Sequence, residues 1–312
     1  MRRLLTASRF LALCVSWLAS SLPLHALSAK VFVTPIGKDA VNCGAILTPC
    51  KTLAGAVAVV SPGGTVIVLT SGEYGPATIT KAVTIEANGV TALVQTAGDA
   101  ITISAGPSDI VTLKGLTLSN GNFQGSGVMI NSARAVHIED CSMRGFTSGV
   151  FAFQWSGQLS LHGTTARNND SGVNLRSPGG RIDAEIDHCV FETNGIGINV
   201  QDGTHTVVRG TASSGNLHGI SGQGSFGAAL DLTVVDCVVA NNTAIGIASE
   251  TTDPASSTLV RVAGSTVTGN QQGFVQATFG GGPAVFLSRG DNTVEGNSQG
   301  DLNGAIGSYS GK

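Results

Sequence analysis

The sequence predicts an all-β protein, a single-stranded right-handed parallel β-helix of about nine coils. Three observations predict this fold class: an asparagine-marked repeat, short strands with period-two hydrophobicity between the markers, and a composition rich in glycine and poor in charge. Glycine supplies 43 of the 312 residues, whereas charged side chains make up only 12%. Because 42% of the residues are hydrophobic and the glycines have no collagen-like period, neither disorder nor a triple helix fits.

The asparagine marker recurs once per coil, at intervals of 25, 22, 26, 28 and 27 residues. A second column lies five residues before each marker, and a glycine followed by an apolar residue comes shortly after it. The markers are Asn169, Asn194, Asn216, Asn242, Asn270 and Asn297. The second column is Cys141, Thr164, Cys189, Thr211, Cys237, Ser265 and Asn292. A fixed set of columns at nearly constant spacing is typical of a solenoid.

Short strands of alternating hydrophobicity lie between the markers, as in the segment 182–187 (IDAEID). A unit of about 25 residues cannot bury its apolar face alone, so coils must stack and pair their strands in parallel. Glycine and asparagine at the corners supply the left-handed backbone that such turns need. A leucine-rich repeat is the main competitor, but the sequence lacks a regular leucine consensus and a helical side.

The first 29 residues are predicted to be a signal peptide, with a positively charged start and an apolar run at 10–19 that is too short to span a bilayer. We therefore expect a secreted protein, extracellular or periplasmic. No other segment is long and apolar enough to cross a membrane. The charges and the candidate cleavage positions are Arg2, Arg3, Arg9, Ala26 and Ala29.

The remaining chain divides into three predicted parts. Residues 30–64 form an N-terminal cap, in which Lys51–Val60 (KTLAGAVAVV) reads as a short amphipathic helix. Residues 65–300 form the parallel β-helix, and residues 301–312 form a tail rich in Gly and Ser.

Five cysteines remain after the predicted cleavage. Cys43 and Cys50 lie close together in one loop, and export favours a disulfide between them, with two free thiols as the alternative. Cys141, Cys189 and Cys237 occupy the inward column of alternate coils, about 9.5 Å apart. That separation is too large for a disulfide or a shared metal ion, so we expect buried thiols that act as small core residues.

The charge balance argues against nucleic acid as a partner. Without the signal arginines the chain carries 14 basic and 20 acidic side chains, a net charge of −6, and no cluster of Lys or Arg. The mature chain is expected to be a monomer without a membrane span.

The segment Pro49–Ala87 (PCKTLAGAVAVVSPGGTVIVLTSGEYGPATITKAVTIEA) resembles the opening of bacterial secreted β-helix-repeat proteins of the pectin-lyase-like superfamily. The later coils, with their C/T-x4-N-x2-G-I/V pattern, resemble the same group, so the resemblance covers residues 31–300. It implies the right-handed β-helix fold. Since the superfamily includes lyases, hydrolases, epimerases and adhesins, it does not imply one activity.

The strand RIDAEIDH is the acidic centre of the sequence. With the Cys/Thr column as register, Asp183, Glu185 and Asp187 point outward together, and Arg209 lies beside them. These carboxylates could hold Ca²⁺, the only cofactor suggested, or act as an acid/base pair on a sugar. The alternative is a solvated charge ladder. The predicted rows are Glu139, His162, Asp187 and Arg209; then His137, Ser160, Glu185 and Val207; then Asp183, His205 and Asp231.

Several catalytic signals of the superfamily are missing. Its pectate lyases pair an acidic calcium cluster with a basic catalytic residue, and Arg209 is the sole basic candidate here. The polygalacturonase pattern of paired aspartates and Gly-His-Gly is absent, and His218-Gly219 reads as the corner of a coil. The catalytic candidates are therefore Asp183, Glu185, Asp187 and Arg209.

A second candidate face follows the Gly-Val corner. Phe151, Phe153 and Trp155 are predicted to alternate outward, beside Asn174 and Arg176 of the next coil and then residues 199 and 201. Aromatic surfaces next to amides and a guanidinium are typical of sugar recognition. The alternative is that a loop covers these rings.

The leading hypothesis is a secreted β-helix scaffold that binds an extended polysaccharide on its flank, within residues 137–209. The alternative is a divergent polysaccharide lyase or glycoside hydrolase that uses the acidic strand. A third interpretation is a purely structural exoprotein.

Overall fold

The computed structural model describes residues 28–310, so the predicted signal peptide lies almost entirely outside the described residues. The chain is a parallel β-helix, and the one helix among residues 28–310, α1 (Leu53–Val59), lies inside the segment predicted to be helical. Ten successive triplets of strands, close to the nine coils predicted, build three parallel sheets, and one further strand lies at each end.

Sheet 1 has 12 strands and carries the acidic strand. Its members are β1 (Ser28–Val33), β2 (Val60–Val68), β5 (Val83–Glu86), β8 (Ile110–Lys114), β11 (Ala135–Glu139), β14 (Gly157–His162), β17 (Ile182–Asp187), β20 (Thr204–Arg209), β23 (Ala229–Val235), β26 (Ser257–Ala263), β29 (Ala284–Ser288) and β32 (Ile306–Ser308).

Sheet 2 has 10 short strands. They are β3 (Gly72–Glu73), β6 (Ala92–Thr96), β9 (Leu116–Asn120), β12 (Ser142–Arg144), β15 (Thr165–Arg167), β18 (Val190–Glu192), β21 (Ala212–Ser214), β24 (Val238–Ala240), β27 (Thr266–Thr268) and β30 (Thr293–Glu295).

Sheet 3 also has 10 strands, and it carries the second candidate face. They are β4 (Ala77–Ile79), β7 (Ile101–Ser104), β10 (Ser126–Ser132), β13 (Ser148–Phe153), β16 (Ser171–Arg176), β19 (Ile196–Gln201), β22 (His218–Gly224), β25 (Ile245–Thr251), β28 (Gln272–Thr278) and β31 (Leu302–Asn303).

The core is a column of inward aliphatic side chains. On β17, Ile182, Ala184 and Ile186 are buried, and the residues between them are not, as the alternation predicts. The thiols of Cys141, Cys189 and Cys237 are free and buried in this core. Their burial raises the pKa values to about 12, 11 and 11 respectively.

The marker asparagines form a buried ladder at the turn between sheets 2 and 3. In each rung the backbone N–H and the side-chain Nδ2 donate to Oδ1 of the asparagine in the next coil, as from Asn194 to Asn216 at 2.8 and 3.0 Å. Nδ2 of Asn194 also donates to the carbonyl of Ala166, at 3.0 Å. At the last coil Asp301 replaces asparagine and accepts both bonds from Asn297.

The N-terminal end is closed by α1 and its preceding loop. The Thr52 hydroxyl caps the helix by accepting from the Gly55 N–H, at 2.9 Å, and donates to the Asp39 carboxylate, at 2.8 Å. A disulfide joins Cys43 to Cys50 in the same loop.

The β-helix extends beyond the predicted boundaries at both ends. Strand β1, in the segment assigned to the signal peptide and cap, pairs with β2, and β31 and β32 in the predicted tail pair with β28 and β29. Strands β31 and β32 have only two and three residues, and each of the three end strands pairs with a neighbouring coil on one side only. Their backbone pairing therefore left no clear trace in the sequence pattern.

Candidate functional site

The register predicted for sheet 1 is confirmed. Asp187 of β17 pairs with His162 of β14 on one side and with Arg209 of β20 on the other. Asp183 pairs with His205, which in turn pairs with Asp231. The acidic strand thus lies in the middle of three outward rows of polar and charged side chains.

Each carboxylate of the acidic strand has partners of its own. The pairs, with their shortest N–O distances, are Asp183–Arg181 (2.7 Å), Asp183–His205 (3.5 Å), Glu185–Arg209 (3.7 Å), Asp187–His162 (3.0 Å) and Asp187–His188 (2.8 Å). The structure does not gather Asp183, Glu185 and Asp187 around one point, as a shared Ca²⁺ would require, because alternate side chains on a strand are separated by about 7 Å.

Two of these carboxyls are held ionised. The hydrogen bond from Arg181 lowers the pKa of Asp183, and the hydrogen bond from His188 lowers the pKa of Asp187. A glycoside hydrolase needs one carboxyl that keeps its proton near neutral pH. Neither Asp183 nor Asp187 meets that requirement.

A cleft of about 670 Å³ lies beside the acidic strand, where the loops from sheet 3 enter sheet 1. Arg181, His205 and Asp231 line it together with the aliphatic side chain of Leu259. Arg261 binds Asp231 at 2.6 Å, so the charges on this side are largely paired. The cleft therefore presents an ion-paired rim to solvent.

The second face lies on the outer side of sheet 3, and the structure places every predicted residue there except Trp155. Across successive strands Phe151 pairs with Asn174, and Phe153 pairs with Arg176. The two phenyl rings are stacked with centroids 6.4 Å apart. The Arg176 guanidinium lies 4.5 Å from the centroid of the Phe153 ring, which is 38% exposed.

Trp155 is the exception, and its predicted outward position is wrong. Its side chain is buried, and Nε1 donates to the carbonyl of Ala133 at 2.8 Å. The strand ends at Phe153, and Gln154 takes a left-handed backbone conformation with φ of 54°. This turn interrupts the alternation of outward and inward side chains along the strand. The indole therefore packs inward and does not lie beside the two phenyl rings.

Several polar atoms on this face have no hydrogen-bond partner. Among the described residues they include Asn174 Oδ1, Arg176 Nε, Asn199 Oδ1 and Gln201 Oε1. Asn199 and Gln201 are only 5% and 8% exposed, so each carries an unpaired acceptor at a nearly buried position. We call Asn174, Arg176, Asn199 and Gln201 the amide row.

Sequence reasoning missed three further residues of this face. Gln223 and Glu250 extend the line of Gln201 onto β22 and β25, and burial raises the pKa of Glu250. Each of the two follows the glycine of its Gly-Ile corner by the same number of residues as Gln201 does. The sequence repeat could therefore have identified them. Phe226 lies in a loop after β22 and covers the guanidinium of Arg176, at 4.2 Å. No periodic signal marks it.

Comparison with known proteins fixes the fold. The family model "right handed beta helix region" matches residues 179–299. The crystal structure of pectate lyase Pel9A superposes with a TM-score of 0.55 over 86% of this chain and 80% of that chain. The chain is a right-handed parallel β-helix protein.

The likeness of this β-helix protein to Pel9A is one of fold, since only 13% of the aligned residues are identical. No curated protein sequence matches the chain. Within the described residues, no helix has the length and apolar character needed to cross a bilayer.

Proposed function

We propose that this β-helix protein is secreted and binds an extended polysaccharide along the outer face of sheet 3. The observation that carries the proposal is the amide row, which has unpaired polar atoms on the two strands that follow β13 and whose Arg176 contacts the exposed ring of Phe153. An unpaired acceptor at a nearly buried position is unfavourable unless a ligand or water donates to it. Sugar hydroxyls donate hydrogen bonds, and sugar rings stack on aromatic faces.

The geometry of the solenoid suits a polymer. Neighbouring coils present equivalent side chains about 4.8 Å apart, so contacts recur along the flank. Phe151 and Phe153 provide the apolar contact at one end, and Asn174 and Asn199 provide acceptors one and two coils further on. The name of the structural neighbour, pectate lyase, is consistent with a polysaccharide as ligand.

The test is retention of the purified protein on immobilised acidic and neutral polysaccharides. Phe153→Ala with Arg176→Ala, and Asn199→Ala with Gln201→Ala, should each weaken binding about tenfold through lost stacking and hydrogen bonds. Phe279→Ala is the matched control, since Phe279 is 73% exposed in a loop outside the face. Equal binding by both double variants and the wild type would refute this site, and a wild type that binds no polysaccharide would favour a purely structural exoprotein.

Cleavage at the acidic strand is the second candidate function, and it is favoured by the adjoining cleft, whose lining residues Arg181 and His205 contact Asp183. Asp183, Glu185, Asp187 and Arg209 would be the catalytic groups of a polysaccharide lyase or hydrolase. Incubating the same polysaccharides with the protein, with and without Ca²⁺, distinguishes the candidates. Unsaturated or new reducing ends would show an enzyme, whereas retention without products would show a binding protein.

A further inference from the structure

Two histidines converge on one carboxylate at the end of the acidic strand. His162 Nδ1 lies 3.0 Å from Oδ2 of Asp187, and His188 Nδ1 lies 2.8 Å from Oδ1. The three donor atoms lie within 4.8 Å of one another, and the imidazole centroids are 5.8 Å apart. Both histidine side chains are more than half exposed, so solvent reaches the cluster.

The backbone of His188 has a conformation that is unfavourable for a residue with a side chain. It occupies the turn between sheets 1 and 2 in a left-handed conformation, with φ of 50°. The equivalent positions one coil before and one coil after are Gly163 and Gly210, both also left-handed. The missing side chain of Gly210 makes room for the His188 ring, which a Cβ there would approach to 3.2 Å. Asp140 and Asp236 occupy the same left-handed position two coils before and two coils after, so the turn accepts a polar side chain, and at this coil that side chain is an imidazole that reaches Asp187.

We propose that His162, Asp187 and His188 bind a divalent transition-metal ion, with Zn²⁺ as the type case. Imidazole nitrogens and one carboxylate are ligands that Zn²⁺, Cu²⁺ and Ni²⁺ accept. Around a tetrahedral ion with ligand distances of about 2.0–2.1 Å, ligand atoms lie about 3.3 Å apart, close to the present N–O separations. The ion replaces the hydrogen-bonded protons between the rings and the carboxylate.

The neighbouring basic side chains bind other carboxylates, so His162, Asp187 and His188 are available as metal ligands. Glu139, which precedes His162 in the same row, is bound to Lys114 at 2.7 Å, and Arg209 lies 3.7 Å from Glu185. The site thus has three protein ligands and a coordination position open to water. Two nitrogen ligands disfavour Ca²⁺, which takes six to eight oxygens, so this site differs from the calcium site that the acidic strand suggested.

The other three-residue cluster of potential ligands among residues 28–310 is Asp39 with Cys43 and Cys50. Its two sulfur atoms form the disulfide and are therefore not thiolate ligands. The histidine cluster is the better candidate for this reason.

Titration of tag-free protein with ZnCl₂ in a calorimeter tests the proposal without any glycan. We expect one ion per chain, and at least tenfold weaker binding in His162→Ala, Asp187→Asn and His188→Gly. His188→Gly is the decisive variant, because glycine suits the left-handed turn and the fold should be at least as stable. His137→Ala is the matched control, since His137 lies on the same face, on β11, outside the cluster.

The outcomes are separate from those of the polysaccharide proposal. Binding that is lost in the three variants and kept in His137→Ala supports the site, even if the protein retains no glycan. Unchanged binding in His188→Gly, no binding by the wild type at millimolar Zn²⁺, or equal binding of CaCl₂ would overturn it.

Discussion

At the scale of single residues, Asp202 shows how one buried carboxylate fixes a loop. It follows β19 and is fully buried. Oδ2 accepts from the Ser225 N–H at 2.7 Å, and Oδ1 accepts from the Ala228 N–H at 2.9 Å and from the Ser256 hydroxyl at 2.7 Å. Burial by itself would raise the pKa of Asp202, but these hydrogen bonds outweigh it and lower the pKa.

Asp202→Asn should reduce the free energy of unfolding by about 2–3 kcal/mol at neutral pH, because an amide nitrogen would face hydrogen-bond donors. The folded pKa lies below the unfolded value of about 3.9, so the stabilisation is complete above that value and is lost as the pH falls through the folded pKa. Urea unfolding of wild type and variant should thus differ less at about pH 3 than at pH 7.

Asp253→Asn is the control for this experiment, because the Asp253 carboxylate accepts one exposed hydrogen bond from the Ala255 N–H. Its effect should stay within about 0.5 kcal/mol. A gap between wild type and Asp202→Asn that is independent of pH would contradict the assigned role of the charge.

At the scale of elements, the asparagine ladder holds successive turns together. Asn194→Ala and Asn242→Ala should each lower the free energy of unfolding by about 2–4 kcal/mol. The substitution at Asn194 removes the acceptor of two Asn169 donors and the donor to Ala166, and all three groups are buried. Chemical denaturation measures the loss.

Asn131→Ala is the matched control for the ladder, since Asn131 is exposed and its Nδ2 donates only to the Ser104 hydroxyl, at 3.1 Å. It should change stability by less than about 0.5 kcal/mol. If the two ladder variants were as stable as this control, the asparagines would be ordinary turn residues.

At the scale of the whole molecule, the cysteines report on the register of the coils. Denatured, unreduced protein should show three free thiols, Cys141, Cys189 and Cys237, plus Cys14 where the predicted signal peptide is still attached. The folded protein should show none of the three within the same reaction time, because burial and raised pKa values suppress thiolate formation. Ellman's reagent measures both. Only one free thiol after denaturation would contradict the spacing of the coils.

The sequence by itself determined the coil-to-coil geometry of this protein. The asparagine and cysteine columns, the inward aliphatics of β17 and the row from Glu139 to Arg209 all follow from one repeat. Each coil pairs in parallel with the next, so residues in equivalent positions become neighbours in space, and the period of the sequence is the register of the sheets.

Only the tertiary structure decided what the loops and side-chain tips do. In the folded protein Trp155 is buried, Phe226 packs on the Arg176 guanidinium, and His188 hydrogen-bonds to Asp187. Loops between sheets 3 and 1 vary in length from coil to coil, so they carry no period that a sequence reader could use. Side-chain partners depend on rotamers and on contacts between distant segments, which a repeat does not specify. The candidate sites therefore lie on a predictable frame, but the contacts that define them were decided by packing.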